Sequence, residues 1–166
     1  MHDDVHQETV RSGRFMIVIG LSTVGLVLAI AALVVAAPSG WQEWPPSASD
    51  VGVLVVTLAL TLAVGVGTAL MRIQVRVDQV LEVRVRPLWY RRRIAPTQIT
   101  SATVVQMTGA NSGGWGIRLV PGGTAVLLDG GPGVQVEVAG ARSLRFRCND
   151  PEVVVEALRA RGASVD

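Results

Sequence analysis

The chain has 166 residues, 49% hydrophobic and only 4% aromatic, with a mean hydropathy of +0.43, which leaves room for one modest domain or for membrane spans plus a smaller domain. All fifteen basic residues are arginine, as in proteins from GC-rich bacterial genomes, and the net charge is only +2, so the isoelectric point near 9.5 does not by itself argue for a polyanion partner. The lone cysteine, Cys148, excludes an intramolecular disulfide.

Residues 1–14 read as a disordered polar tail. Its HDDVHQE stretch offers imidazole and carboxylate groups of the kind that hold transition metals weakly, from His2, Asp3, Asp4, His6 and Glu8. No metal site is expected there. Residues 15–37, FMIVIGLSTVGLVLAIAALVVAA, carry no charge, and a helix of that length reaches roughly 34 Å, enough to cross a bilayer. The apolar run is longer than that of a cleaved signal, and the tail before it is acidic rather than basic. A second uncharged run, residues 51–71, spans about 31 Å as a helix, so residues 15–71 form an expected transmembrane hairpin. The connecting loop, residues 38–50, has no basic residue and carries Trp41 and Trp44, residue types that anchor at the headgroup level. Arginines flank the other ends of both runs: Arg11 and Arg14 before the first, and Arg72, Arg76, Arg84, Arg86, Arg91 and Arg92 after the second. The positive-inside rule then places the loop outside and both termini in the cytoplasm, in a bacterial inner membrane.

From Arg72 onward the pattern changes to alternation at period two, the mark of half-buried strands. Ile73, Val75 and Val77 share one face, as do Leu81, Val83 and Val85, with a turn at Asp78 and Gln79 between them. Further strands are expected at residues 98–106, 115–120, 124–129, 134–138 and 143–148, separated by the turns NSGG, PGG and GGPG. Cys148 alternates with Leu144 and Phe146 and reads as a small core residue. The final segment, NDPEVVVEALRARG, has Asp150 at an N-cap, Pro151 at the first helical position and Gly162 just past the end, with Val154 and Leu158 on its apolar stripe.

The VRVD strand and its partner, the IAPTQI segment, GWGIR at residues 114–118, GPGVQVEV, RSLRFRC and the helix begun by Asp-Pro together resemble small two-span bacterial membrane proteins that carry a PH-like domain, often from actinobacteria. The resemblance implies an α+β membrane protein: a two-helix hairpin followed, over residues 72–166, by a cytoplasmic antiparallel barrel or sandwich of about seven strands capped by one helix. It supplies no catalytic or binding residue, because PH-like folds host lipid, peptide and protein binding alike.

Among candidate functional residues, the stretch RPLWYRRRIAP stands out. Arg91, Arg92 and Arg93, with Arg84 and Arg86, are expected contacts for anionic headgroups, and Trp89 an interfacial anchor. A plainer reading is a solvated strand edge or turn whose charges set topology and prevent edge pairing. Residues 72–166 hold thirteen arginines against eight acids, a surplus of five that favours a membrane-facing surface. Nucleic acid is not expected, since no helix-turn-helix, zinc finger or RNP motif accompanies the run. Trp115 is the candidate contact for a protein partner. No histidine falls in the folded part, and the glycine turns lack the lysine and helix start of a phosphate loop, so neither an enzyme nor a cofactor is expected. The function expected is non-catalytic: binding a protein partner or organising a membrane assembly. The alternatives are anionic-lipid recognition and service as an accessory subunit of a larger complex through the hairpin.

Overall fold

A computed structural model describes residues 6–11, 13–36 and 48–164, with the side chains of residues 14, 15, 34–36 and 48–50 left aside. The described chain divides into two units, an apolar helical pair within Phe15–Leu70 and a β-rich unit made from Met1–Arg14 together with Met71–Asp166.

In the helical unit, α1 (Arg14–Ala36) and α2 (Ala48–Ala69) are 23 and 22 residues long. Windows at Met16–Leu33 and Val51–Ala69 are apolar and long enough to cross a membrane. Leucines and valines are exposed around both helices, among them Leu21, Leu26, Leu33, Val53, Leu60 and Val64, a pattern suited to an apolar solvent rather than to water. The threonine hydroxyls do not oppose this, because Thr23, Thr57, Thr61 and Thr68 each donate to the carbonyl four residues earlier at 2.8–2.9 Å, which satisfies them inside their own helix. The helices meet backbone to backbone at Gly20 and Gly65: a Cβ at Gly20 would stand 2.6 Å from the Gly65 carbonyl oxygen, and one at Gly65 3.1 Å from that of Gly20. Small residues permit this approach without a GxxxG pattern. Trp41 and Trp44 lie outside the described residues, as do His2, Asp3 and Asp4.

Among its described residues the β unit contains nine strands and α3, in place of the roughly seven strands and helix expected. The first four strands are β1 (His6–Arg11), β2 (Arg72–Val77), β3 (Leu81–Arg86) and β4 (Tyr90–Ile94), forming one antiparallel sheet in that order. Strands β5 (Ile99–Met107), β6 (Gly116–Val120), β7 (Gly123–Leu127), β8 (Gly131–Val138) and β9 (Ser143–Arg147) form a second, in the order β5-β8-β9-β7-β6. The sheets do not close into a barrel. Nor is the unit wholly antiparallel, since β7 and β9 pair in parallel: β8 crosses past β7 to lie against β5, and β9 then fills the place between β8 and β7.

Residues 6–11 overturn the expectation of a disordered tail. They alternate as half-buried strands do, with His6, Glu8 and Val10 inward and Gln7, Thr9 and Arg11 outward, and pair with β2 from His6↔Val77 to Arg11↔Arg72. Inward residues Ile73, Val75, Val77, Leu81, Val83 and Val85 are wholly buried, as are Val134, Val136, Leu144 and Phe146 from the second sheet and Cys148 just past β9. At roughly 1.5–3 kcal/mol per fully buried aliphatic or aromatic side chain, these residues are the main source of the unit's stability.

Helix α3 (Pro151–Arg159) packs Val154 and Leu158 inward and touches β5, β8 and β2, so it bears on both sheets. Pro151 and the left-handed Gly162 fall where expected. Asp150 holds the N-cap position, yet its side chain makes no capping bond. Glu8 of β1 instead holds the approach to the helix, its carboxylate accepting the Asn149 N–H at 3.0 Å and the Asp150 N–H at 3.4 Å.

Candidate functional site

Period-two alternation sends every second residue of β1–β4 to the outer face of the first sheet. Register aligns these residues in rows across four strands: Gln7, Arg76, Glu82 and Arg93 in one; Thr9, Gln74, Arg84 and Arg91 in the next; then Arg11, Arg72 and Arg86. Seven arginines thus share a face with the carboxylates of Glu82 and, in the following turn, Asp78, a surplus of five positive charges.

Glu82 organises the centre. Its side chain is 11% exposed and meets three guanidinium groups: Arg84 through Nε, Arg91 through Nε at 2.7 Å, and Arg93 through Nε at 3.2 Å. Arg91 also donates from Nη2 to the second carboxylate oxygen at 3.1 Å. A carboxylate this buried depends on such charge-assisted bonds. One carboxylate cannot neutralise three guanidinium groups, so the cluster stays cationic while its side chains are held in place. Arg76 is bonded to Asp78 at 3.1 Å. The last row differs: Arg11, Arg72 and Arg86 stand side by side, and among the described residues none is paired with a carboxylate. Like charges directly opposite on neighbouring strands oppose folding.

Two depressions open on this face. One, of about 250 Å³, is lined by Gln7, Gln74, Val75, Arg76, Glu82, Arg84 and Arg86. The other, of about 500 Å³, has Arg84, Arg86, Pro87, Trp89, Tyr90 and Arg91 on its walls. Trp89 sits in the β3–β4 turn, 95% exposed, with Leu88 beside it, and its φ of 53° is left-handed, an unusual conformation for an aromatic residue. A large apolar side chain in water, held in an unfavourable backbone conformation, is the kind of exception that marks a working surface.

Of the arginines singled out from sequence, Arg84, Arg86, Arg91 and Arg93 come together on this face. Arg92 does not. It falls opposite Val83 in register, on the other side of the sheet, and donates to the Arg142 carbonyl oxygen. Beside it, burial raises the Tyr90 hydroxyl pKa, an effect the nearby Arg92 partly offsets. Trp115 is partly buried against Met107, Ala125 and Leu127 and covers Gly109, whose Cβ would meet the indole at 3.0 Å. Asn111 ties the loop beneath it, donating from Nδ2 to the Gln106 carbonyl at 2.7 Å and accepting the Thr108 N–H at 2.8 Å.

Cys148 is wholly buried. Burial, then the Glu8 charge, pushes its thiol up to about 12, which keeps it protonated and unreactive at neutral pH. Among the described residues no cluster of three or more His, Cys, Asp or Glu side chains could hold a metal ion.

Sequence reasoning missed the parts played by Glu82 and Glu8. The first was legible as the one acid in an alternating face of arginines; the second needed HQETVR to be read as a strand. No protein-family model matches this chain, and neither does any curated protein.

Proposed function

We propose that this chain is a non-catalytic, two-span protein of the bacterial inner membrane whose β unit recognises anionic lipid through the outer face of β1–β4, with Trp89 as its interfacial anchor. The supporting observation is the convergence of Arg84, Arg86, Arg91 and Arg93 with Arg11, Arg72 and Arg76 on one face next to an exposed tryptophan. An arginine near an anionic leaflet contributes about 1 kcal/mol. Glu82 offsets part of that sum and fixes the geometry of Arg84, Arg91 and Arg93. A PH-like ancestry for the β unit is our reading of the strand-rich chain closed by a helix, and it agrees with a binding role without specifying one.

The pairing of β1 with β2 supports an even number of crossings. Arg11, three residues before α1, is the register partner of Arg72, three residues after α2, so the two segments share one side of any membrane the helices span. Both are arginine-bearing, which favours the cytoplasm. Capture of a protein partner draws less support, because Trp115 is largely spent on its own packing.

The test is purification of the full-length protein in mild detergent beside a variant with Arg84, Arg86, Arg91 and Arg93 changed to Gln, followed by mass spectrometry of bound lipid and protein. Loss of anionic lipid from the variant alone is expected. Equal anionic-lipid retention by both forms, or a stoichiometric protein partner held by both without enriched lipid, overturns the reading.

A further inference from the structure

The geometry points to a phosphomonoester-binding site in the smaller depression, where Arg76, Arg84 and Arg86 present guanidinium groups, Gln7 and Gln74 present amides, and Glu82 acts as the positioning residue. This rests on the lipid reading above and names the headgroup chemistry: a terminal phosphate dianion, rather than the singly charged diester of most anionic lipids.

Three observations carry it. The depression, at about 250 Å³, is lined mostly by polar side chains and is ample for one phosphate. Guanidinium groups bind phosphate oxygens through paired N–H bonds, which reward an anion with several equivalent oxygens and two charges. Glu82 takes Arg84, the partner that lines this depression, by its Nε edge, and Asp78 takes Arg76, which holds these two guanidinium groups before any ligand arrives, so less rotamer freedom is lost on binding. Arg86, which lines the depression and stands in one row with Arg11 and Arg72, gains most from an incoming dianion, because the anion offsets the repulsion from its two neighbours.

Arg84 and Arg86 line both depressions. A phosphate in the smaller one therefore places whatever it is esterified to over the larger one, toward Trp89 and Leu88, the exposed apolar side chains of the β3–β4 turn. An acylated glycerol matches that sequence of polar site and apolar rim. A soluble phosphate uses only its first half.

The experiment is calorimetric titration of the full-length protein in non-ionic detergent with three probes: short-chain phosphatidic acid, short-chain phosphatidylglycerol and inorganic phosphate. Phosphatidic acid is expected to bind roughly tenfold tighter than phosphatidylglycerol, the gain from one further charge-assisted hydrogen bond. Arg84→Gln should bring the two lipids to parity. Glu82→Gln should retain overall affinity for anionic lipid while losing the preference, which separates positioning from folding, since an unfolded variant loses both. Inorganic phosphate binding as tightly as phosphatidic acid identifies a soluble monoester as the ligand; far weaker binding identifies the lipid. Equal affinity for the two lipids, or a preference unchanged in Arg84→Gln, overturns the site while leaving anionic-lipid recognition standing. Binding of none of the three probes overturns both.

Discussion

Changing Glu8 to alanine should loosen two distant parts of the β unit at once. The Glu8 side chain is 9% exposed while Asn149 and Asp150 are exposed, so its bonds to the start of α3 form with partial competition from water. The bond from the Asn149 N–H, at 3.0 Å, contributes about 1.5–3 kcal/mol as a hydrogen bond to a charged group. The longer one from Asp150 adds little. A carboxylate at a helix N-terminus adds about 0.3–1 kcal/mol. The sum is roughly 2–4 kcal/mol, which corresponds to a fall in melting temperature of roughly 10–30 °C for a unit of about 100 residues. Hydrogen exchange of the full-length protein in detergent provides the residue-level readout. Amides of β1, β2 and the first turn of α3 should exchange roughly 30- to 700-fold faster, while those of α1 and α2 stay unchanged. Glu8→Gln, which keeps an acceptor oxygen and loses the charge, should show about half the loss in free energy. Wild-type protection of α3 in Glu8→Ala refutes the latch, as would faster exchange confined to β1.

Trp89→Gly should separate stability from function: the side chain is 95% exposed and relief of its left-handed conformation gains about 1–2 kcal/mol, against about 0.4–1 kcal/mol of extra chain entropy, so the melting temperature holds or rises while lipid retention falls. Gly20→Val should destabilise the helical pair by about 1–3 kcal/mol in an SDS titration, whereas Gly25→Val, where a Cβ meets nothing within 4 Å, should be neutral. With its pKa raised from 9.0 to about 12, Cys148 keeps in the folded state a proton that the unfolded chain releases, so its contribution is complete below about pH 9 and is lost as pH climbs toward 12. Cys148→Ala should flatten that alkaline fall in a pH series of thermal melts, and an unchanged slope would remove Cys148 as its cause.

Where one signal dominated locally, the sequence was readable. The uncharged runs gave both helices to within three residues, and alternation gave β2, β3 and the inward faces of Ile73 to Val85. The turn before α3 was also visible, through Asp-Pro. What alternation does not encode is the partner of each strand. The parallel placement of β9 beside β7 depends on a chain crossing that leaves no local mark, and seven antiparallel strands were the simpler inference. Strand β4 hid within an arginine run whose charges masked the inward turn of Ile94 and Tyr90. For the site, composition gathered five arginines, but only period two in register shows that Arg92 belongs to the other face, and only burial reveals Glu82 as the common partner of Arg84, Arg91 and Arg93. Glu8 was farthest from view, because its partners lie 141 and 142 residues away.

The strand that precedes α1 is hydrogen-bonded to the strand that follows α2, which makes the helical pair an insertion within the β unit rather than a leader in front of it. Synthesis therefore delivers β1 first and obliges it to wait, unpaired, until both helices and then β2 have emerged. Excising residues 72–166 as a soluble piece would remove Val10 from the core and the carboxylate from the start of α3, and leave β2 as a bare edge open to a strand from another copy. The fragment that keeps this unit whole must carry both of its ends, joined by a short linker where the helices now stand.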